Sequence, residues 1–325
     1  MSRRFTIRAV FAVTLGAAPF CGAFAAERPM DTLALQVALD RAGFSPGVID
    51  GTMGGQTRQA LRGFQEAKGI TVTGKLDAET RTALGEPTEA TEKVTLTEAE
   101  SAGPFLPIPE EMAERAKLDG LNYTSVEEAL AEKYHTTPAK LRALNRGAKF
   151  AAGSEIIVPA VRTGDVAAEG AKGWDAMLVK LSVAKAQPNA AKVVVDKSDQ
   201  HVRVYDDAGT LVAQFPASIG SEHDPLPLGE WKINGVARLP PFHYNPELFW
   251  DAADGDMKTK LPPGPNGPVG VVWMDLSKDH YGIHGTPEPD KVGRTESHGC
   301  IRLTNWDAAK LAQMVKPGTP AILQD

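Results

Sequence analysis

Cysteine is nearly absent from this sequence of 325 residues, which contains only Cys21 and Cys300. Cys21 lies in an N-terminal segment with the features of an export signal, so the mature chain is expected to keep Cys300 alone. A single thiol cannot form an intramolecular disulfide in the oxidising compartment to which such a signal leads. Because a lone cysteine is by default an inert buried apolar residue, its neighbours must show whether it is reactive.

Positive charge is also scarce, with 35 Lys and Arg against 41 Asp and Glu and a formal net charge of −6. Three arginines lie within the first eight residues and would leave with the signal, which changes the net charge to −9. This acidic balance argues against a nucleic-acid partner and against a polybasic membrane patch. It is compatible with a polymeric sugar or peptide partner.

The N-terminal segment lacks a long hydrophobic run. Its uncharged stretch covers 17 residues, is interrupted by glycine and proline, and ends at Ala23-Phe24-Ala25, which has small residues where a signal peptidase reads. A spanning helix needs about 20 apolar residues, so a cleaved signal peptide at 1–26 is favoured over a transmembrane anchor. We therefore expect an exported protein of the periplasm.

Residues 30–85 predict a small helical domain. Apolar residues recur at helical spacing before a break at Gly43 and again over Thr57 to Lys68, and Asp77 is placed to cap a third helix at 78–84. The ordered elements Gly-Phe, Ile-Asp-Gly, Phe-Gln and Thr-Gly-x-Leu-Asp resemble the peptidoglycan-binding domain type 1 family. The resemblance implies that this domain holds the protein on peptidoglycan.

Residues 86–116 show no periodicity and are rich in Glu, Thr, Ala and Pro, which predicts a linker. The next segment, 117–162, predicts two helices, at 125–134 and 138–145, and a strand at 155–159. It resembles a LysM motif, a glycan-binding fold of two helices on a two-stranded sheet, although the expected first strand is poorly matched by Leu121-Asn122-Tyr123. We expect a LysM-like module that either binds glycan or serves as a spacer.

The remainder of the chain, 190–325, is dominated by short runs of β-branched residues separated by turn residues. Strands are expected at 192–196, 201–205, 210–219, 229–236 and 269–275. A single helix is expected at 305–315, stopped by Lys316-Pro317-Gly318. The predicted fold class is therefore multidomain: a small helical domain, an α+β LysM-like module and a mainly β domain built as a sandwich or small barrel.

One cysteine and two or three histidines lie within 21 residues of this β domain: His280, His284, His298 and Cys300. A nearby imidazole can take the proton of a thiol, whose ordinary pKa is about 8.5, and the thiolate can then attack a carbonyl. The same residues have spacings that a zinc site could use. A third possibility is structural, with a buried histidine and a small thiol supporting a glycine-rich turn.

The sequence Ile-His-Gly-Thr at 283–286, followed by Ser-His-Gly-Cys-Ile-Arg-Leu at 297–303, resembles the L,D-transpeptidase family with the YkuD catalytic domain. The resemblance covers 190–324 and includes Asp-Pro-Leu-Pro-Leu-Gly-Glu-Trp at 224–231. It implies a transferase of peptidoglycan biosynthesis, with roles in cell-wall organisation and cell shape, that uses no metal and no cofactor.

Carried over position by position, the resemblance implies that Cys300 is the nucleophile, that His284 is the proton acceptor and donor, and that Gly285 supplies a backbone carbonyl that orients the imidazole. The thiolate would attack the carbonyl of the third residue, a diamino acid, in a tetrapeptide stem, and the terminal D-Ala would leave. An amine of a second stem would then attack the thioester and form a 3→3 crosslink. We also expect carbapenems to form an adduct on Cys300.

Four further positions follow from the same resemblance. His298 and Gly299 would line the oxyanion and substrate region, Ser297 would shape the turn through its hydroxyl, and Arg302 would contact a carboxylate or a peptide stem. Outside the motif, an aromatic stretch suggests substrate contacts at Tyr244 and Asn245, with Phe249 and Trp250 either beside the cleft or in the core. Three other histidines are expected at the polar surface: His135, His201 and His223.

Other functions remain open. With water as the acyl acceptor the enzyme would be an L,D-carboxypeptidase, and with a protein lysine it would attach a lipoprotein, or release one by cleaving that bond. A non-catalytic wall-binding protein is disfavoured because Cys300 and His284 are both present. A zinc hydrolase would use the histidines and the cysteine as metal ligands and would be inhibited by chelators.

Overall fold

The computed structural model describes residues 30–85, 89–164, 170–250, 252, 255–297 and 299–325. The predicted signal peptide at 1–26 lies outside these ranges. Within them, no helix combines the length and the apolar character that crossing a membrane requires.

The N-terminal domain contains three helices: α1 (Thr32–Arg41), α2 (Gly55–Ala67) and α3 (Ala78–Leu84). The prediction of Asp77 as a helix cap is confirmed, since its Oδ1 accepts a hydrogen bond of 2.9 Å from the Thr80 amide. Leu35, Leu61 and Phe64 are almost fully buried and form the centre of this domain's core. The periodic apolar residues thus produce the predicted helical domain.

The middle module consists of six elements: β1 (Thr91–Thr95), α4 (Glu98–Ser101), α5 (Met112–Arg115), α6 (Val126–Lys133), α7 (Pro138–Leu144) and β2 (Glu155–Pro159). The last two helices and β2 lie where they were predicted. The prediction of a linker over 86–116 is wrong, because β1 pairs antiparallel with β2 along its whole length and α4 and α5 follow it. Residues 121–123 therefore do not supply the first strand.

The C-terminal domain is built on a nine-stranded sheet whose spatial order is β5-β4-β3-β13-β7-β10-β11-β12-β6. Its strands are β3 (Lys192–Asp196), β4 (His201–Tyr205), β5 (Leu211–Pro216), β6 (Ser218–Ile219), β7 (Gly229–Arg238), β10 (Val272–Leu276), β11 (Gly282–His284), β12 (Ile301–Arg302) and β13 (Pro320–Gln324). Only Ala217 separates β5 from β6, although they lie at opposite ends of the order. The sheet must therefore curl until its edges approach each other, which agrees with the predicted mainly β domain.

Two helices pack on this sheet, α8 (Gly173–Lys180) and α9 (Asn305–Met314). The fully buried Trp306 of α9 and Leu181, which follows α8, belong to the same apolar core as the strands. A separate hairpin, β8 (Phe242–Tyr244) and β9 (Thr259–Leu261), lies between β7 and β10 in the chain. Because α8 contributes to the core, the folded domain begins before residue 190.

The three parts of the chain are joined by buried polar contacts. The amide of Ser45 donates to the Gln214 carbonyl at 2.9 Å, and the Gln214 amide donates to the Gly43 carbonyl at 3.0 Å, so the N-terminal domain is hydrogen-bonded to β5. His135 of the middle module lies 3.0 Å from Asp40 of α1, and its ring stacks on Trp306 of α9. These contacts connect all three parts at one place.

The prediction of a surface position is wrong for His135 and His201, which are both fully buried. His135 is satisfied by Asp40 and by the Leu181 carbonyl, which lies 2.8 Å from its Nε2. His201 is on the buried side of β4, and burial lowers its pKa to about 4. Tertiary packing, which the local sequence does not reveal, decides both positions.

Charge at the junction is balanced by Lys310, whose Nζ donates to Asp40 Oδ1 at 2.7 Å and lies 3.8 Å from Asp307 Oδ1. Burial opposes charge on Asp40, but Lys310 and His135 outweigh it and hold the pKa of Asp40 well below its usual range. Burial raises the pKa of Asp307 to about 6. We call the set of Asp40, His135, Asp307 and Lys310 the junction cluster.

Candidate active site

The strands β11 and β12 bring the two motifs together, although they are separated by a loop in the sequence. They pair in parallel, with Ile283 opposite Ile301 and His284 opposite Arg302. Cys300 immediately precedes β12 and therefore lies beside the start of β11, where the Gly282 amide contacts its sulfur. The topology of the sheet thus places the thiol and His284 on neighbouring strands.

His284 is buried, and one of its ring nitrogens is occupied by the backbone. Its Nδ1 lies 2.7 Å from the Gly285 carbonyl oxygen, which can only accept a hydrogen bond, so Nδ1 carries the proton and Nε2 keeps its lone pair. The ring of Trp273 stacks on the imidazole at 5.5 Å between centroids. Burial lowers the pKa of His284 to about 4, against the hydrogen bond to Gly285, so the imidazole is neutral at pH 7.

Cys300 is a free thiol that is partly shielded from solvent. Its Sγ donates to the His280 carbonyl at 3.7 Å and makes no hydrogen bond to the His284 ring among the described residues. Burial raises the pKa of Cys300, while the Gly282 amide and the charge of Arg302 act in the opposite direction. The thiol is therefore protonated at neutral pH, next to an imidazole that is also neutral.

The turn before Cys300 is held by Ser297 and by a glycine in the left-handed region. The Ser297 hydroxyl donates to the Cys300 carbonyl at 2.5 Å and accepts from the Gly220 amide at 2.7 Å. Gly299 has φ +88°, and a Cβ at this position would lie 2.8 Å from the Tyr281 ring, so a larger residue would be strained and crowded. His298 lies outside the described residues.

Two charged groups act on the thiol from neighbouring elements. Arg302 lowers the pKa values of both His284 and Cys300, since its positive charge favours the thiolate and disfavours the imidazolium. Asp224 raises the pKa of Cys300, and its buried Oδ2 has no hydrogen-bond partner among the described residues. Asp224 begins the matching motif at 224–231, but the sequence alone assigns it no role.

The predicted substrate contacts lie on the separate β8–β9 hairpin and already have partners within it. The Tyr244 hydroxyl donates to Asp256 at 2.6 Å, and the Asn245 side chain accepts from the Glu247 amide at 3.3 Å. The core alternative is wrong for Trp250, which is 61% exposed and stacks on His223. The exposed position of His223 agrees with its prediction.

Two residues that support His284 were missed by the sequence analysis. Trp273 comes from β10 and covers the imidazole, and Asn305 comes from α9 and packs against Gly285. A Cβ at Gly285 would lie 2.1 Å from Asn305 Oδ1, so this approach requires glycine. Of these two residues, only Trp273 has a signal in the sequence, because it lies in a strand with alternating apolar residues. That signal indicates burial rather than a role in the site.

A metal site was one of the alternatives for these histidines. In the part of the chain that the structure describes, which omits His298, no three His, Cys, Asp or Glu side chains are grouped so that they could hold one ion.

Known protein families match two parts of the chain. Residues 190–323 match the family described as "L,D-transpeptidase catalytic domain", and residues 30–84 match the "Putative peptidoglycan binding domain" family. The Bacillus licheniformis protein named "Putative L,D-transpeptidase YkuD" is 28% identical over 195 residues, which are 59% of this chain and 89% of that protein. Its Bacillus subtilis namesake is 53% identical over 55 residues, or 17% of this chain and 34% of that protein.

Among solved structures, L,D-transpeptidase 3 from Mycobacterium tuberculosis is 21% identical, with a TM-score of 0.34 over 41% of this chain and 60% of that one. The L,D-transpeptidase family match covers the C-terminal domain, which holds Cys300 and His284, and the relatives are named for the same family. Residues 190–323 therefore form an L,D-transpeptidase catalytic domain, which follows a peptidoglycan-binding domain at residues 30–84.

Proposed function

We propose that this L,D-transpeptidase forms 3→3 crosslinks in peptidoglycan through a thioester on Cys300. The observation that carries the proposal is the neutral His284, whose Nδ1–H is held by the Gly285 carbonyl while its Nε2 remains a base on the strand next to the thiol. An imidazole fixed in this tautomer can accept the thiol proton as the sulfur attacks.

In the first half of the reaction, the Sγ–H proton passes to His284 Nε2 and the sulfur bonds to the carbonyl carbon of the third stem residue. The thiol must first turn away from the His280 carbonyl, a change that substrate binding can drive. The Gly299 turn, with its left-handed backbone, is suited to stabilise the oxyanion through amides next to Cys300. The carbon–nitrogen bond to D-Ala then breaks, and His284 returns the proton to the leaving amine.

In the second half, an amine of another stem attacks the thioester. His284 accepts a proton from that amine, the carbon–sulfur bond breaks, and the proton returns to the Cys300 sulfur. One peptide bond is thus exchanged for another, and no further reactant is consumed. Arg302 is placed to attract a stem carboxylate, because its charge acts on both His284 and Cys300.

We assign the two N-terminal parts to wall attachment in an extracytoplasmic, periplasmic protein. The antiparallel pairing of β1 with β2 beside α6 and α7 supports a LysM-like module, in which β1 would take the place of the strand expected near residue 121. Tetrapeptide stems are the donors in this proposal, and a stem amine is the acceptor.

The test is mass spectrometry of muropeptides after isolated sacculi are incubated with mature protein. Wild type should produce 3→3 crosslinked dimers, while Cys300→Ala and His284→Gln should produce none. A matched control is Ser198→Ala, which changes a hydroxyl in the β3–β4 turn and should leave the products unchanged. Identical products from wild type and Cys300→Ala would refute the proposal. Tripeptide products without dimers would instead identify an L,D-carboxypeptidase.

A further inference from the structure

A cleft of about 350 Å³ lies between the middle module and the catalytic domain. Helix α6 and the start of α7 form one wall, and the other contains Asn266 and the segment 287–290. This segment belongs to the loop that leads from His284 to Cys300. The volume is within the range of small-molecule sites, which are usually about 300–1,000 Å³.

The cleft contains a buried carboxyl that the fold does not fully satisfy. Glu132 is 5% exposed, and its Oε1 accepts a hydrogen bond of 2.8 Å from Asn305 Nδ2. The Tyr123 hydroxyl interacts with this carboxyl, although the two do not reach full hydrogen-bond geometry, and Glu132 Oε2 has no other partner among the described residues. A carboxylate oxygen has two lone pairs, so Oε2 can accept a further donor from the cleft.

The charges of the described residues around the cleft all have one sign. Glu128, Glu132 and Asp290 contribute carboxyl groups, and none of the described lining residues is Lys, Arg or His. Glu128 is already occupied, since its Oε1 accepts from Asn266 Nδ2 at 2.8 Å and its Oε2 from the Thr124 amide at 2.6 Å. Glu132 and the exposed Asp290 therefore remain to bind a ligand.

Hydroxyl groups complete the polar lining. Ser125 and Thr137 accept hydrogen bonds from the amides of their own helix starts, at 3.1 Å each, and their O–H groups can still donate. Burial raises the pKa of Glu132 to about 7, and a bound cation would favour its ionised form. A cationic group with polar neighbours fits this lining, whereas an anion would be repelled.

We propose that the cleft binds the protonated side-chain amine of a peptidoglycan stem, with Glu132 and Asp290 as its carboxylate partners. The identification of the ligand as a stem amine rests on the proposed function. Its positive charge is inferred from the acidic lining of the cleft. Asn305 contacts both Glu132 and Gly285, so it connects the carboxyl in the cleft to the residue whose carbonyl holds His284. A second strand bound here lies against the loop that carries the catalytic cysteine.

The test is calorimetric titration of full-length mature protein carrying Cys300→Ala, so that no acyl transfer occurs. The probes are a disaccharide tetrapeptide with a free side-chain amine and the same compound acetylated on that amine. Glu132→Gln and Asp290→Asn remove one carboxylate each with little change in shape. Glu127→Gln is the matched control, because Glu127 is on the same helix but faces Arg142.

Acetylation and Glu132→Gln should each raise the Kd about tenfold, which corresponds to about 1.4 kcal/mol. Glu132→Gln and Asp290→Asn should each weaken binding of the free amine and leave binding of the acetylated probe unchanged, while the control changes neither. Equal binding of both probes to the Cys300→Ala protein would overturn the proposal, as would unchanged binding in both cleft variants. Because binding is measured without acyl transfer, these outcomes are independent of the sacculus assay. If Glu132→Gln does not fold, binding of the two probes to Asp290→Asn, a change at an exposed residue, tests the proposal.

Discussion

The junction cluster should contribute strongly to stability, and Lys310→Met tests this. Lys310 is 11% exposed at its side chain and Asp40 only 1%, and their charged atoms are 2.7 Å apart. Removing one partner of a buried ion pair typically costs about 3–5 kcal/mol, because the other charge stays buried without compensation. Asp40 would keep His135 as a partner, so we expect the lower end of that range, about 3 kcal/mol.

The assay is urea unfolding at pH 7, followed by circular dichroism. Asp40→Asn alone should also destabilise, while Asp40→Asn combined with Lys310→Met should cost clearly less than the two single changes together, since neither charge is then left alone. Lys185→Met is the control: Lys185 pairs with Asp175 at 2.6 Å, but both side chains are about half exposed. That pair should contribute less than about 1 kcal/mol.

A loss of stability in Lys310→Met no larger than that in Lys185→Met would refute this role of the junction cluster. A double variant that loses the full sum of the two single effects would refute it as well. A two-step unfolding curve for Lys310→Met alone would support it in another way. The cluster connects the peptidoglycan-binding domain to α9, so its loss should let the N-terminal domain separate before the catalytic domain unfolds.

Three further predictions concern the site. Because burial lowers the pKa of His284 to about 4, carbapenem acylation of Cys300, followed by mass spectrometry, should show no decline around pH 6.5; a decline there would contradict the assigned base. Burial raises the pKa of Glu132 from 4.5 to about 7 in the folded protein. The free energy of unfolding of wild type should therefore fall by about 3 kcal/mol relative to Glu132→Gln as the pH rises from 4.5 to above 7. A difference in thermal stability between the two proteins that stays constant with pH would disprove the burial argument. Gly285→Ala places a Cβ 2.1 Å from Asn305 Oδ1 and should reduce crosslinking roughly 100-fold, and full activity would show that this approach is not required.

Local signals explain most of the fold that the sequence predicted. The β3–β4 hairpin follows from β-branched runs around turn residues, and α9 follows from a cap, a periodic stripe and a proline stop. The strand β1 could not be found in this way. Thr91–Thr95 has valine as its only apolar residue, and it becomes a strand because β2, about 60 residues later, pairs with it.

The same distinction applies to the site. Cys300 and His284 are recognisable because their chemistry depends on residue type and on a short motif. Their supports come from elsewhere in the chain: Trp273 from β10, Asn305 from α9 and Glu132 from the middle module. Each of these residues is ordinary in its own segment. Only the tertiary fold brings Trp273 to the imidazole, and Glu132 to Asn305, which packs against Gly285.

The junction cluster also affects how attachment to the wall could assist the reaction. A flexible linker would only raise the concentration of stems near the thiol, to an extent set by its length. Here the N-terminal domain is hydrogen-bonded to β5 through Gly43 and Ser45, and the buried charges of Asp40 and Lys310 hold it against α9. If the N-terminal domain binds the wall as proposed, a surface held in this way would present a strand to Cys300 in a fixed direction. Binding energy can then contribute to orientation at the reacting carbonyl, which is worth more to an acyl transfer than local concentration alone.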